Sequence, residues 1–198
     1  MATKEDILEQ IVEEYLVHKG YFVQHNLKFL PCKDHPDFVR NQDSNHSDID
    51  VIGYHPLIKG ERKVMVVSCK SWQKGFNPAS EIDAIVNDKV LRGRKAWKAF
   101  LELTVPKWSE AFVKAVKDAT GTHKFTYVTA VTWLAGDKGT WESHQPFQDA
   151  LNGNPVTILT FREMVAEIQA ELTMTLAATE VGRMLQLFSA ADMKVMDE

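Results

Sequence analysis

The stretch Lys63-Val64-Met65-Val66-Val67-Ser68-Cys69-Lys70 decides the fold. It is a β-branched run that turns polar at its end, the composition of a strand lying within a sheet. Just before it, Asp48-Ile49-Asp50-Val51-Ile52 alternates polar and apolar and closes on Gly53. The connection from Tyr54 to Arg62 contains His55-Pro56 and Gly60 and reads as a hairpin loop. Side chains alternate across a strand, so Asp48 and Asp50 are expected on one side and Ile49 and Val51 on the other. On the next strand Ser68 and Lys70 share a side, and Val67 and Cys69 share the opposite, buried one. Pairing the two strands brings a carboxylate pair beside a hydroxyl and an ammonium. A lysine ending an apolar strand is costly without a partner or a chemical role.

Upstream, Lys4 to Lys19 reads as a helix. Its apolar residues Ile7, Leu8, Ile11, Val12, Tyr15 and Leu16 fall on one face, with Thr3 as N-cap and Gly20 just past the end. Tyr21 to Leu30 reads as extended, and Pro31 to Ser47 as a polar loop long enough to suggest function. Downstream, Asn77-Pro78 opens a helix through about Asp88, and Pro106 to Ala119 forms another that Gly121 closes. Phe125 to Leu134 and Pro155 to Leu159 are strands, and Phe161 to Leu172 is a helix. From Thr175 onward, Val181, Met184, Leu185 and Phe188 share one helical face, as core or dimer contact. The order αβββαα then βαβαα predicts an α/β fold with a mixed central sheet flanked by helices. A single domain over residues 1–198 is expected, with 175–198 as a C-terminal helical appendage.

Composition narrows the function. The chain has 198 residues, 44% of them apolar, enough for a substantial core. It has no run of 18 apolar residues to cross a membrane and no apolar segment behind Met1 to act as a secretory signal. Cys32 and Cys69 allow at most one bridge, so a reducing cytoplasm is the expected location. The seven histidines show no His-X-X-X-His spacing and the cysteines no Cys-X-X-Cys, which argues against zinc. A net charge of −4 excludes coating nucleic acid by bulk charge, so any such role needs a local basic patch. Lys89, Arg92, Arg94, Lys95 and Lys98 supply one, with Trp97 and Phe100 interleaved. Their stretch reads as a helix weakened by Gly93, either a solvated face or a grip on a phosphate backbone. Trp72, directly after the decisive strand, either packs or stacks on a base.

Asp50-Val51-Ile52-Gly53, the hairpin, and Val66-Val67-Ser68-Cys69-Lys70-Ser71 together resemble the core of the PD-(D/E)XK nuclease superfamily. The first helix, followed by Gly20-Tyr21, is similar to that family's opening helix. The resemblance covers roughly Lys4 to Trp72 and implies a restriction-endonuclease-like fold. The implied activity is Mg²⁺-dependent hydrolysis of DNA phosphodiester bonds, with Mn²⁺ as a substitute ion. In this reading Asp50 binds the metal, Glu9 completes the site from the helix with Glu13 as fallback, and Lys70 stabilises the transition state. Pro36-Asp37 matches the family's letters but precedes no apolar strand, so Asp50 is preferred. A homodimer is implied by analogy, because cutting both strands needs two sites.

Ser68 departs from the family pattern, which has an acid at that position. Some restriction enzymes with Ser-X-Lys recruit a Glu from the following helix, and here Glu81 and Asp83 are the candidates for that role. The alternative is a catalytically inactive nucleic-acid-binding or regulatory domain on the same fold.

Overall fold

The computed structural model describes residues 6–173, 175–177 and 179–193. Its elements in chain order begin with α1 (Ile7–His18), β1 (Phe22–Phe29), α2 (Arg40–Asp43), β2 (Ser47–Tyr54) and β3 (Val64–Lys70). There follow α3 (Pro78–Val86), a small hairpin of β4 (Val90–Leu91) and β5 (Arg94–Lys95), α4 (Leu101–Thr104) and α5 (Pro106–Thr120). The remainder is β6 (Thr126–Val131), α6 (Gly139–Glu142), α7 (Gln145–Ala150), β7 (Val156–Thr160), α8 (Phe161–Glu171) and α9 (Glu180–Ala190).

Local signals place the helix ends. Thr3 lies outside the described residues, and Asp6 caps α1 by accepting the Leu8 N–H at 2.8 Å. Asn77 caps α3, with Pro78 in its first turn. Gly121 adopts φ +74° and stops α5, a conformation glycine reaches without steric cost. Thr160 and Glu163 form a reciprocal capping box that starts α8 directly from the end of β7.

The sheet order is β1-β2-β3-β6-β7, with β1, β2 and β3 antiparallel and β3, β6 and β7 parallel. The chain is therefore α/β with a mixed five-stranded sheet flanked by helices. On one face Val64, Val66, Ile52, Tyr127 and Val131 meet Phe100, Trp108, Phe112, Val116 and Trp141. On the other, Val51, Val67, Val128 and Ala130 meet Leu8, Ile11 and Val12 of α1, Met164 and Ile168 of α8, and Val181 and Leu185 of α9. The segment expected as an appendage thus contributes core residues. Its cap Thr179 also donates a hydrogen bond to buried Glu14 on α1.

Three local expectations change. Ile49 and Val51 do not share a side: Ile49 joins the first core layer and Val51 the second. Opposite Asp50 on β1, Asn26 has φ +53°, so regular alternation is interrupted there. The basic stretch 89–98 is not one continuous helix but the β4–β5 hairpin followed by a 3-10 turn, Ala96–Ala99. Arg92 and Gly93, at φ +52° and +77°, reverse the chain as the two-residue turn of the β4–β5 hairpin. The Pro31–Ser47 loop contains α2 and is tied to α5 by an ion pair of 2.6 Å between Lys107 and buried Asp43.

Candidate active site

The cavity arises where two strands part. Paired residues of β2 and β3 run from Tyr54–Val64 to Val51–Val67 and go no further, although both strands continue. Beyond that point the Cys69 N–H is taken by the Asp50 carboxylate, at 2.6 Å, in place of a carbonyl on the neighbouring strand. This satisfies the amide that the lost ladder would have left bare. It also fixes Asp50 at the floor of a cavity of about 300 Å³.

Asp48, Asp50, Ser68 and Lys70 all line that cavity, as strand parity predicts. His46 and Ser47 enter from the start of β2; Arg94 of the hairpin, Lys98 and Ala99 of the helical turn Ala96–Ala99, and Leu101 and Glu102 of α4 close it. Lys70 Nζ donates to Ser68 Oγ at 2.8 Å and sits 4.9 Å from the centre of the Phe100 ring. An aromatic face is attractive to a cation, so the ammonium is held over Phe100 and toward the cavity. Burial pushes the Asp50 carboxyl above its ordinary value; Lys70 and the Cys69 N–H oppose the rise, while Glu102 and Asp48 add to it.

Glu102 is the acid that sequence reasoning missed. It is buried in the first turn of α4, between Leu101 and Leu103, and accepts a hydrogen bond from Tyr127 Oη. Tyr127 is fully buried and also within hydrogen-bonding reach of Ser68. Burial and then the Glu102 charge hold its phenol well above the ordinary value, so it stays a donor. A single acid in the apolar run Phe100-Leu101-Glu102-Leu103 was the available signal.

The other expected site residues lie elsewhere. Glu81 accepts both terminal nitrogens of Arg92, at 2.8 and 2.7 Å, and Asp83 pairs with Lys89 and Asn87; neither lines the cavity. The Trp72 ring carries the Arg92 guanidinium on one face at 3.5 Å and packs on Phe76 and Phe100, which occupies it. Glu9 is on α1, which covers the opposite face of the sheet. There its charge acts on Cys69, whose thiol is pushed up by burial, then Asp50, then Glu9. Glu13 pairs with His25 at 3.1 Å. Asp37 is exposed and does not line the cavity; its carbonyl accepts from Lys107.

Asp50, Asp48 and Glu102 offer hard oxygen donors, the type Mg²⁺ prefers. Among the described residues no three acid, imidazole or thiol side chains gather closely enough to cage an ion. No helix of the described residues is long and apolar enough to cross a membrane. Comparisons of the chain with protein-family models, with curated proteins and with solved structures find no match.

Proposed function

We propose that the chain is a metal-dependent endonuclease of the restriction-endonuclease-like fold that hydrolyses DNA phosphodiester bonds. The observation that carries this reading is the convergence of Asp50, Glu102 and Lys70 on one cavity beside Ser68. An acid is absent from the strand position of Ser68, and Glu102 brings one to the same cavity from α4. The order β1-β2-β3-β6, antiparallel up to β3 and parallel after it, supports the fold assignment.

Asp50 and Glu102 would hold Mg²⁺, or Mn²⁺ in its place. When bound, the ion supplies positive charge against the negative charge that builds on the phosphate during hydrolysis. Lys70 has three donors, one committed to Ser68, and offers the others to a non-bridging phosphate oxygen. The Cys69 N–H holds one oxygen of Asp50, leaving the other to face the cavity. Tyr127 fixes the Glu102 carboxylate, so it is not free to fold back onto Lys70.

A second reading, nucleic-acid binding without hydrolysis, draws on one observation: the strand position between Asp50 and Lys70 carries a hydroxyl, and Lys70 is bonded to it. Cleavage of plasmid DNA in Mg²⁺ or Mn²⁺ separates the two. Wild-type cleavage that disappears in Asp50→Ala and in Lys70→Ala supports the nuclease. Unchanged cleavage in both variants sinks it, and retained binding without any wild-type cleavage selects the second reading.

A further inference from the structure

The five cations between Lys89 and Lys98 are not equivalent. Arg92 is locked to Glu81 by two hydrogen bonds and laid on Trp72. Lys89 is paired with Asp83, and Lys95 with Asp88, whose other oxygen accepts Trp97 Nε1 at 2.9 Å. The Ala96 N–H closes the hairpin onto the Lys89 carbonyl at 2.9 Å. These three side chains anchor the hairpin to α3 and to itself, and their charge is already matched.

Arg94 and Lys98 are different. Both are exposed, both line the Asp50 cavity, and neither forms an ion pair with a carboxylate among the described residues. Arg94 follows directly on the Arg92-Gly93 turn, and Lys98 lies in the helical turn before Phe100, which is fully buried. The two cations are thus mounted on backbone fixed at both ends. Cations that are exposed at the mouth of a cavity and not locked in an ion pair keep their donors available to an anionic ligand.

We propose that the β4–β5 hairpin and the helical turn that follows it, Ala96–Ala99, form a phosphate clamp. Arg94 and Lys98 grip the backbone phosphates that flank the one lying over Asp50 and Lys70, while Lys89, Arg92 and Lys95 only hold the clamp in shape. The clamp rests on the nuclease reading for the identity of the central phosphate. It makes the ligand a chain of several linked phosphodiesters, because an isolated diester has no flanking phosphates to hold. Removing two phosphate contacts lowers the slope of log affinity against log salt by about 1.8 for duplex DNA.

The test is fluorescence anisotropy of a labelled DNA duplex in Ca²⁺, between 50 and ~200 mM salt, with wild type, the double variant R94Q/K98Q and the control K114Q/K117Q on α5. All proteins are first checked for an unchanged unfolding midpoint. The clamp predicts that R94Q/K98Q binds at least about tenfold more weakly at the low-salt end, with the slope reduced by about 1.8, while the control moves neither. An unchanged slope in R94Q/K98Q, equal losses in the control, or no wild-type binding each overturns it. Plasmid cleavage is read separately. Binding with the clamp signature but no wild-type cleavage keeps the clamp and removes the nuclease; cleavage with an unaltered slope in R94Q/K98Q does the reverse.

Discussion

Glu81 and Glu102 are both buried acids on the same side of the sheet, exposed to 4% and 7%, and the molecule treats them in opposite ways. Glu81 meets a guanidinium in two-pronged geometry, the strongest neutralisation a carboxylate can receive from a side chain. Glu102 meets a neutral phenol and faces a cavity that Asp48 and Asp50 also line. Glu81 is thus a closed contact that holds a hairpin. Glu102 forms no ion pair among the described residues and shares its cavity with Lys70, Arg94 and Lys98. Which of two buried glutamates is chemical is decided by what remains unsatisfied around it.

Substitution should separate the two most sharply. Glu102→Gln keeps shape and a hydrogen-bonding partner for Tyr127 but removes the charge. Plasmid cleavage in Mg²⁺ should fall by about 10²–10³-fold, the scale of removing one electrostatic group from a reaction centre. Glu81→Gln should leave cleavage by the folded protein intact and instead lower stability by about 2 kcal/mol in urea unfolding. That figure is at the modest end for a buried pair because Arg92 is itself partly exposed. Finding the two effects exchanged would invert the comparison.

Tyr127→Phe should have a smaller effect. Loss of one hydroxyl at Glu102 costs about 1 kcal/mol, or roughly fivefold in rate. Because Tyr127 is a positioning residue, the loss should fall on kcat and leave KM unchanged. A fivefold loss carried by KM alone, with kcat unchanged, would make Tyr127 a packing residue only.

The smallest effect concerns stability. The folded-state pKa of Asp50 is raised, so the folded protein binds its proton more tightly than the unfolded chain. The stability associated with Asp50 is therefore fully present below the ordinary carboxylate pKa and is lost as pH rises through the folded value. Asp50→Asn should then be more stable than wild type at neutral pH, with the gain vanishing in acid. Urea titrations at the two pH values measure it. A residue whose removal stabilises the fold is kept for another reason, which is the opposite of the expectation at Glu81.

Much of this was legible in sequence because it is periodic. The expectation that Asp48 and Asp50 share a side with Ser68 and Lys70 agrees with the cavity lining, although the alternation behind it fails at Ile49. The helical face of α1 and the Asn77-Pro78 start of α3 were similarly plain. What failed was not periodic. Glu102 sits on α4, four residues long and too short for a helical pattern, beyond a hairpin with two-residue strands. Arg92-Gly93 was visible as a break but not as a turn, because a non-glycine residue at positive φ is unusual. Glu81 lay at a sequence distance suited to replacing Ser68, yet nothing local says that Arg92 folds back to claim it. Ion pairs between exposed-looking residues are settled by tertiary geometry, and composition carries no record of them.

The Cys69 amide has one more use. It lies in a central strand, yet its proton is held by the Asp50 carboxylate and not by a neighbouring backbone. Its chemical shift and its solvent exchange must therefore follow the state of that carboxylate. In an ¹⁵N-labelled sample this single resonance would act as an internal gauge: it would titrate with Asp50 and respond to a cation arriving in the cavity. Ladder amides such as that of Val67 would stay still. The chain thus contains its own spectroscopic readout of the Asp50 carboxylate, independent of any substrate.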